Sequence, residues 1–433
     1  MDRIWMSQVV SAIADLGRQY FERPSNASPI ETERRLCKDL LSGRGEASGT
    51  ALAREVVNLF AAMNEESRVA FIEMLNDEFA YDPAFLREAA ERYAREQDDD
   101  AYLSLRRAME APRQELLQRM NMAPGGTAVI VQMRELLLKL LADRHELARL
   151  DSDFRQLFTS WFNRGFLQFE QIDWRTPAVV LEKLIAYEAV HEIHGWDDLR
   201  RRLASDRRCF AFFHPALTDE PLIFVEVALT RELSDRIQPL LDAPAGNAPS
   251  ETPNTAIFYS ISNCQAGLTG ISFGNLLIKQ VVDALSAELP SIRTFATLSP
   301  VPGFRGWLRR IMTDAPPDFL DAEEKDALLQ AGWADNEILR QRLKKPLTRL
   351  CARYLASVTE NGQAIDPVAR FHLGNGASIE RINWAGDLSA KGLRQSAGLM
   401  VNYRYDPDQI VANHEAYVGS SRIALSGKVK SLL

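Results

Sequence analysis

The chain has no unbroken apolar run of roughly 18 residues, which excludes a membrane-spanning helix as the expectation. It has 4 cysteines in 433 residues, Cys37, Cys209, Cys264 and Cys351, scattered and without a CxxC pair. That spacing argues against a zinc cluster and against a disulfide framework, and fits a reducing, cytoplasmic setting. Basic charge is not in excess: 51 Lys and Arg stand against 59 Asp and Glu, a net charge of −8, with no basic tail or stripe. Nucleic acid is therefore not an expected partner. The opening "MDRIWMSQVVSAIADLG" lacks the basic and apolar segments of a signal or transit peptide, and the closing "KVKSLL" is not a peroxisomal address. Also absent are a GK[ST] phosphate loop, GxGxxG and HExxH, and Ser299 does not stand in a GxSxG elbow.

What is present is an ordinary globular balance, 46% hydrophobic and 25% charged. The first third reads as helix after helix. "SRVAFIEMLNDEFA" and "DPAFLREAAERYAREQ" carry apolar residues three and four apart, with Asp82 as cap and Pro83 in the first turn. "APGG" at 123–126 is a break. "VQMRELLLKLLADRHELARL" then puts Leu136, Leu140, Leu147 and Leu150 on one helix face. Asp151 is the expected N-cap of a helix ending at Gly165. After about residue 168 the texture changes. "RCFAFFHP", "PLIFVEVALT", "AIFYSISN" and "IRTFATLSP" are rich in β-branched and aromatic residues and read as strands. A helical insert is expected at about 320–358. The expectation is an α+β protein: an all-helical domain over 1–168 and a mixed domain over 169–433.

Three stretches carry chemistry. In "AIFYSISNCQAGLTGISFGN" a strand runs into a turn with three glycines, followed by a helix with Ile278, Val281, Val282, Leu285 and Leu289 facing the core. First-turn amides without intrahelical partners, the helix dipole and glycines that admit close approach together suit a pyrophosphate. A tight turn needed only for packing is the other open reading. In "LSPVPGFRGWLRR", Pro300 pushes Ser299 towards extended geometry at a strand end. Arg305, Arg309 and Arg310 follow, either as phosphate partners or as a solvated face. In "FHLGNGA", His372 sits beside an apparent turn, where it is either a proton donor or acceptor or a structural histidine. His191 and His194 lie three apart on an expected helix end without a third metal ligand. His145 reads as a surface residue, and His214 and His414 carry no motif. "NYRY" puts Tyr403 and Tyr405 on one side of a strand and Arg404 on the other.

Taken in order, "EPLIFVEVALT", "GLTGISFGNLLIKQVV", "LSPVPGF", "PVARFHLGNGA", "RINWAGDLS" and "GLMVNYRY" resemble the malonyl-CoA decarboxylase family. The resemblance runs over about 150–420 and more loosely over the helical part. It implies a helical N-terminal oligomerisation domain, giving a homo-dimer or tetramer, and an acetyltransferase-like (GNAT-type) catalytic domain. The implied reaction turns malonyl-CoA into acetyl-CoA and CO2, part of fatty acid metabolism, with no metal and no organic cofactor, since CoA belongs to the substrate. It puts the essential serine at Ser299, the essential histidine at His372 and the pocket tyrosine at Tyr405. The CoA loop falls on Thr269, Gly270, Ile271, Ser272, Phe273, Gly274 and Asn275. At Ser272 the chain departs from animal members, which carry a glutamate there. The competing expectations are a CoA-dependent acyltransferase and a non-catalytic acyl-CoA sensor on the same fold.

Overall fold

A computed structural model describes residues 29–42, 46–242, 252–271, 273, 277–314, 317, 319–329 and 332–433. Contacts divide the chain into two compact units: 1–167 with 214–218 and 265–272, and 168–213 with 219–264 and 273–433.

The first unit is helical. Its elements are α1 (Pro29–Leu41), α2 (Glu46–Ala62), α3 (Glu65–Asp77), α4 (Pro83–Glu96), α5 (Asp99–Met109), α6 (Pro112–Asn121), α7 (Gly126–Leu140) and α8 (Ala148–Trp161). The start of α4 follows from local chemistry, because the Asp82 carboxylate accepts the Ala84 and Phe85 amides and Pro83 needs no donor. Buried Phe60, Phe71, Leu117, Ile130, Phe154 and Phe158 fill the core. Two expectations fail here. The run containing Leu136 and Leu150 is not one helix, since α7 ends at Leu140 and α8 begins at Ala148. Asp151 lies in the first turn of α8 rather than capping it, because its carboxylate is taken by Arg134 at 2.8 Å.

The second unit is built on a sheet. Its elements are β1 (Gln168–Ile172), α9 (Ala178–Tyr187), α10 (Trp196–Arg202), β2 (Arg207–Phe213), β3 (Pro221–Thr230), α11 (Gln238–Leu241), β4 (Thr255–Asn263), α12 (Leu277–Glu288), β5 (Thr294–Thr297) and β6 (Ser299–Pro300). Then follow α13 (Phe304–Asp314), α14 (Ala322–Leu329), α15 (Glu337–Ala356), α16 (Pro367–Gly374), β7 (Ser378–Asn383), α17 (Ala390–Ser396), β8 (Met400–Arg404), α18 (Ile410–Ser420) and α19 (Gly427–Lys430). The strand order is β1-β2-β3-β4-β5-β8-β6, with β7 also on β8. The chain is thus α+β, helices first and a mixed sheet after. β4 and β5 are parallel, paired from Thr255↔Thr294 to Phe258↔Thr297, and α12 lies between them in sequence, as a parallel crossover requires. Beyond Phe258 and Thr297 the two strands part. β4 runs on to Asn263 along β3, while Ser299 and Pro300 pair with Val401 and Met400 of β8. Among the described residues no helix is long and apolar enough to cross a membrane.

Candidate active site

The opening where β4 leaves β5 is a cavity of about 260 Å³. Phe258, Tyr259 and Ile261 of β4, Ser299, and Phe371 and His372 of α16 line it, with Val190 from the loop between α9 and α10. Ser299 is therefore not the end of one long strand, as its sequence suggested. β5 stops at Thr297, Leu298 donates its amide to the Phe258 carbonyl, and Ser299 begins a two-residue pairing with β8. His372 does not sit in a turn either. It occupies the last turn of α16, which Asp366 caps by accepting the Val368 and Ala369 amides.

Four side chains meet in one chain of hydrogen bonds. His372 Nδ1 lies 2.8 Å from the Tyr405 hydroxyl, and Nε2 lies 3.0 Å from Ser299 Oγ. Ser299 Oγ donates to Thr297 Oγ1 at 2.9 Å. Thr297 Oγ1 also accepts the Tyr403 amide at 3.1 Å and lies 3.5 Å from the Val401 carbonyl, to which it donates. The direction of the chain follows from its ends. A carbonyl only accepts, so the Thr297 proton points to Val401 and the Ser299 proton to Thr297. Ser299 Oγ then accepts from His372 Nε2–H, and His372 Nδ1 accepts from Tyr405. The Tyr403 ring stacks on His372 at 4.4 Å between centroids. His372 is 3% exposed and Ser299 7%. Burial pushes His372 down to about 3, so the ring is neutral, and pushes the Tyr405 hydroxyl well above its ordinary value.

The wall that carries Val190 has no regular structure but is firmly tied. The Glu188 carboxylate accepts the Val190 and His191 amides at 2.8 and 2.7 Å and the Ser260 and Ser262 hydroxyls of β4. Lys391 donates to the Ala189 and Val190 carbonyls at 2.6 and 3.0 Å. His191 and His194 lie in this loop and not on a helix end. His191 is half-buried and pushed down to about 4, mainly by the desolvation of its ring, and His194 is exposed.

The expected CoA loop is distributed differently. Gln265 to Ile271 belongs by its contacts to the helical unit, and Phe273 to the sheet unit. Thr269 is exposed and donates to the Ala266 carbonyl, Gly270 has φ +76°, and Ile271 is buried. Ser272, Gly274 and Asn275 lie outside the described residues. Arg309 and Arg310 are exposed on α13. Arg305 is 8% exposed, and burial lowers its affinity for a proton. Sequence reasoning missed Thr297, Glu188, Lys391 and Val190. Thr297 alone had a signal, standing two residues before Ser299 on the same strand face.

The family model for the malonyl-CoA decarboxylase C-terminal domain matches residues 165–433, and that for the N-terminal domain matches 79–162. The mitochondrial malonyl-CoA decarboxylase of Rattus norvegicus is 38% identical over 360 residues, 76% of this chain and 72% of its own. The corresponding protein of Anser anser anser is 38% identical over 345 residues, 73% and 68%. Among solved structures, malonyl-CoA decarboxylase from Rhodopseudomonas palustris superposes with a TM-score of 0.88 at 50% identity, over 94% of this chain and 100% of that one. The Agrobacterium vitis enzyme gives 0.84 at 49%, over 93% and 99%.

Proposed function

The chain belongs to the malonyl-CoA decarboxylase family, and from that premise we propose that it converts malonyl-CoA to acetyl-CoA and CO2 with Ser299 and His372 as its working pair. The observation that carries the residue assignment is the buried hydrogen-bond chain Tyr405, His372, Ser299, Thr297 on the wall of the cavity between the parted strands.

Decarboxylation breaks the bond between the malonyl α-carbon and its carboxylate. The electron pair passes into the thioester carbonyl and CO2 leaves. The thioester is its own electron acceptor, so the reading needs neither a metal nor an organic cofactor. Donors aimed at the developing enolate oxygen lower the barrier, each worth about 3–4 kcal/mol in other enzymes. Ser299 turns its hydroxyl from Thr297 to the malonyl carboxylate and holds the scissile bond across the carbonyl plane. His372 gives its Nε2 proton to the carbanion carbon. Tyr405, bonded to Nδ1, keeps that proton on the nitrogen facing the cavity, and solvent restores it once the products leave. A serine nucleophile fits less well: the Ser299 proton points to Thr297 rather than to an accepting His372 nitrogen, and Pro300 offers no amide to an oxyanion hole.

Purified protein with malonyl-CoA alone tests the reading. Equimolar acetyl-CoA and CO2 are expected, with Ser299→Ala and His372→Gln slower by about 10²- to 10⁴-fold. Free CoA and malonate from the wild type would instead make it a thioesterase, and turnover left intact in His372→Gln would remove the proton donor.

A further inference from the structure

A second cavity in the sheet unit, about 700 Å³, takes no part in the reaction above. It lies among the segment before α11, the first half of α15 and the end of β7. Its volume suits a small-molecule ligand. Four cationic side chains line it, Arg236, Arg340, Lys344 and Arg381, against one carboxylate, Asp235. Arg340 is paired with Glu337. Arg236, Lys344 and Arg381 have no ion-pair partner among the described residues. The indole of Trp384 forms part of the wall, braced by Trp333 at 5.8 Å between centroids. Three cations without an ion-pair partner against one carboxylate leave an excess of positive charge around one hollow, which favours an anion of several charges, and an indole favours a planar group beside it.

Arg381 also connects this cavity to the catalytic serine. Its Nε donates to Asn402 Oδ1 at 3.0 Å and its Nη2 to the Leu233 carbonyl at 3.0 Å. Asn402 is wholly buried on β8, and side chains alternate along a strand. Tyr403 next to it stacks on His372, while Asn402 serves the opposite face, where Asn383 also bonds its Oδ1 at 2.9 Å. From there Asn402 Nδ2 donates to the Thr297 carbonyl at 2.7 Å. Thr297 in turn holds the Ser299 hydroxyl. Hydrogen bonds thus run from Arg381 through Asn402 to the Thr297 carbonyl, and from the Thr297 hydroxyl to Ser299, with the covalent frame of Thr297 joining the two.

We propose that the Arg236–Lys344–Arg381 cavity is an effector site for an oligophosphate anion, of the kind a nucleoside di- or triphosphate carries, and that its occupancy slows turnover through Asn402 and Thr297. An oligophosphate offers Arg381 charged acceptors stronger than the amide oxygen of Asn402. Drawing the guanidinium off Asn402 loosens its hold on the Thr297 carbonyl, and the Ser299 hydroxyl loses its fixed partner. The ligand acts because it binds the displaced arginine better than the docked one.

The test uses the full chain with tripolyphosphate and, separately, ADP, with binding read by calorimetry and turnover read with malonyl-CoA. Its turnover arm rests on the decarboxylase reading and its binding arm does not, so the two fail separately. Saturable binding of tripolyphosphate is expected, with kcat lowered about fivefold or more and the KM for malonyl-CoA unchanged. ADP binding more tightly than tripolyphosphate per charge would assign the indole to the base. The double variant Arg236→Glu, Lys344→Glu, both exposed, is expected to keep basal turnover and lose binding and inhibition together; Arg236→Gln, Lys344→Gln repeats the test if the first fails to fold. Absence of saturable binding, binding without change in kcat, or inhibition that raises only KM would each overturn the proposal. The last would mean that the anion competes at the substrate's own phosphate site.

Discussion

Thr297 decides how the Ser299 hydroxyl is used, although no motif announces it. Its oxygen takes the serine proton and the Tyr403 amide together, which a valine of the same shape cannot do. A net hydrogen bond is worth about 1–1.5 kcal/mol, and about 1.4 kcal/mol is tenfold in rate. Thr297→Val is therefore expected to lower kcat about tenfold with KM little changed, and Thr297→Ser to restore it; equal losses in both would assign Thr297 to packing alone. The histidine makes a prediction of opposite sign from the usual one. Burial lowers His372 from an ordinary value near 6.5 to about 3, so the folded chain keeps it neutral while the unfolded chain protonates it first. Stability from this group is present above pH about 6.5 and is lost as pH falls towards 3, by up to about 1.4 kcal/mol per pH unit. His191, at about 4, acts in the same direction. Urea unfolding at neutral and mildly acidic pH is expected to show this slope, reduced in His372→Gln, while kcat passes through pH 6.5 without an inflection from His372. Motif reading singled out Ser299, His372 and Tyr405, but not the order of donors among them. That order depends on which acceptors a neighbouring strand supplies, here the carbonyl of Val401 and the amide of Tyr403.

At the scale of elements, the local rules succeeded where nothing distant competed. Asp82 and Pro83 start α4 by cap chemistry alone. Asp366 and Pro367 are the same pair and start α16, so the helix under His372 was legible from the rule already applied at Asp82. It was obscured by "GNGA", which reads as a turn and is in fact the stop of an eight-residue helix. Asp151 shows the reverse case: a cap-type residue whose carboxylate a distant arginine claims, leaving the helix to begin three residues earlier. The stop of α16 is testable. Gly376 has φ +85°, which costs a side-chain-bearing residue, and a Cβ there would lie 2.2 Å from the Ile410 carbonyl oxygen. Gly376→Ala is expected to destabilise the chain by about 1–3 kcal/mol and to lower kcat, because α16 must shift to admit the methyl and His372 is in its last turn. A melting temperature equal to the wild type's would show that the helix end yields freely.

At the scale of the whole chain, sequence order and spatial membership part company at two segments, and the second of them is held in place by side chains that can be named. Residues 265–271 follow β4 after Cys264, and although their glycines mark a turn, nothing in their composition assigns them to the helices. By contact they belong to the helical unit. Two features hold them there. Gly267 lies so close to α7 that a Cβ would come within 2.0 Å of the Val131 carbonyl oxygen. Arg134, 1% exposed, pairs with Asp151 and donates to the Gly267 and Thr269 carbonyls at 2.7 and 2.9 Å. No periodicity encodes this, because the arginine and the loop are more than a hundred residues apart, and Arg134 reads in sequence as an ordinary charged helix position. Its removal should therefore have two consequences. Arg134→Met leaves one buried carbonyl, one partly buried carbonyl and a half-buried carboxylate without a donor, a loss of about 3–5 kcal/mol of stability. If the loop carries the CoA phosphates, as the family resemblance implies, KM for malonyl-CoA should rise well before kcat falls. Denaturant unfolding and steady-state kinetics on the same preparation separate the two: a stability loss with unchanged KM would leave the loop a structural strap and detach it from substrate binding.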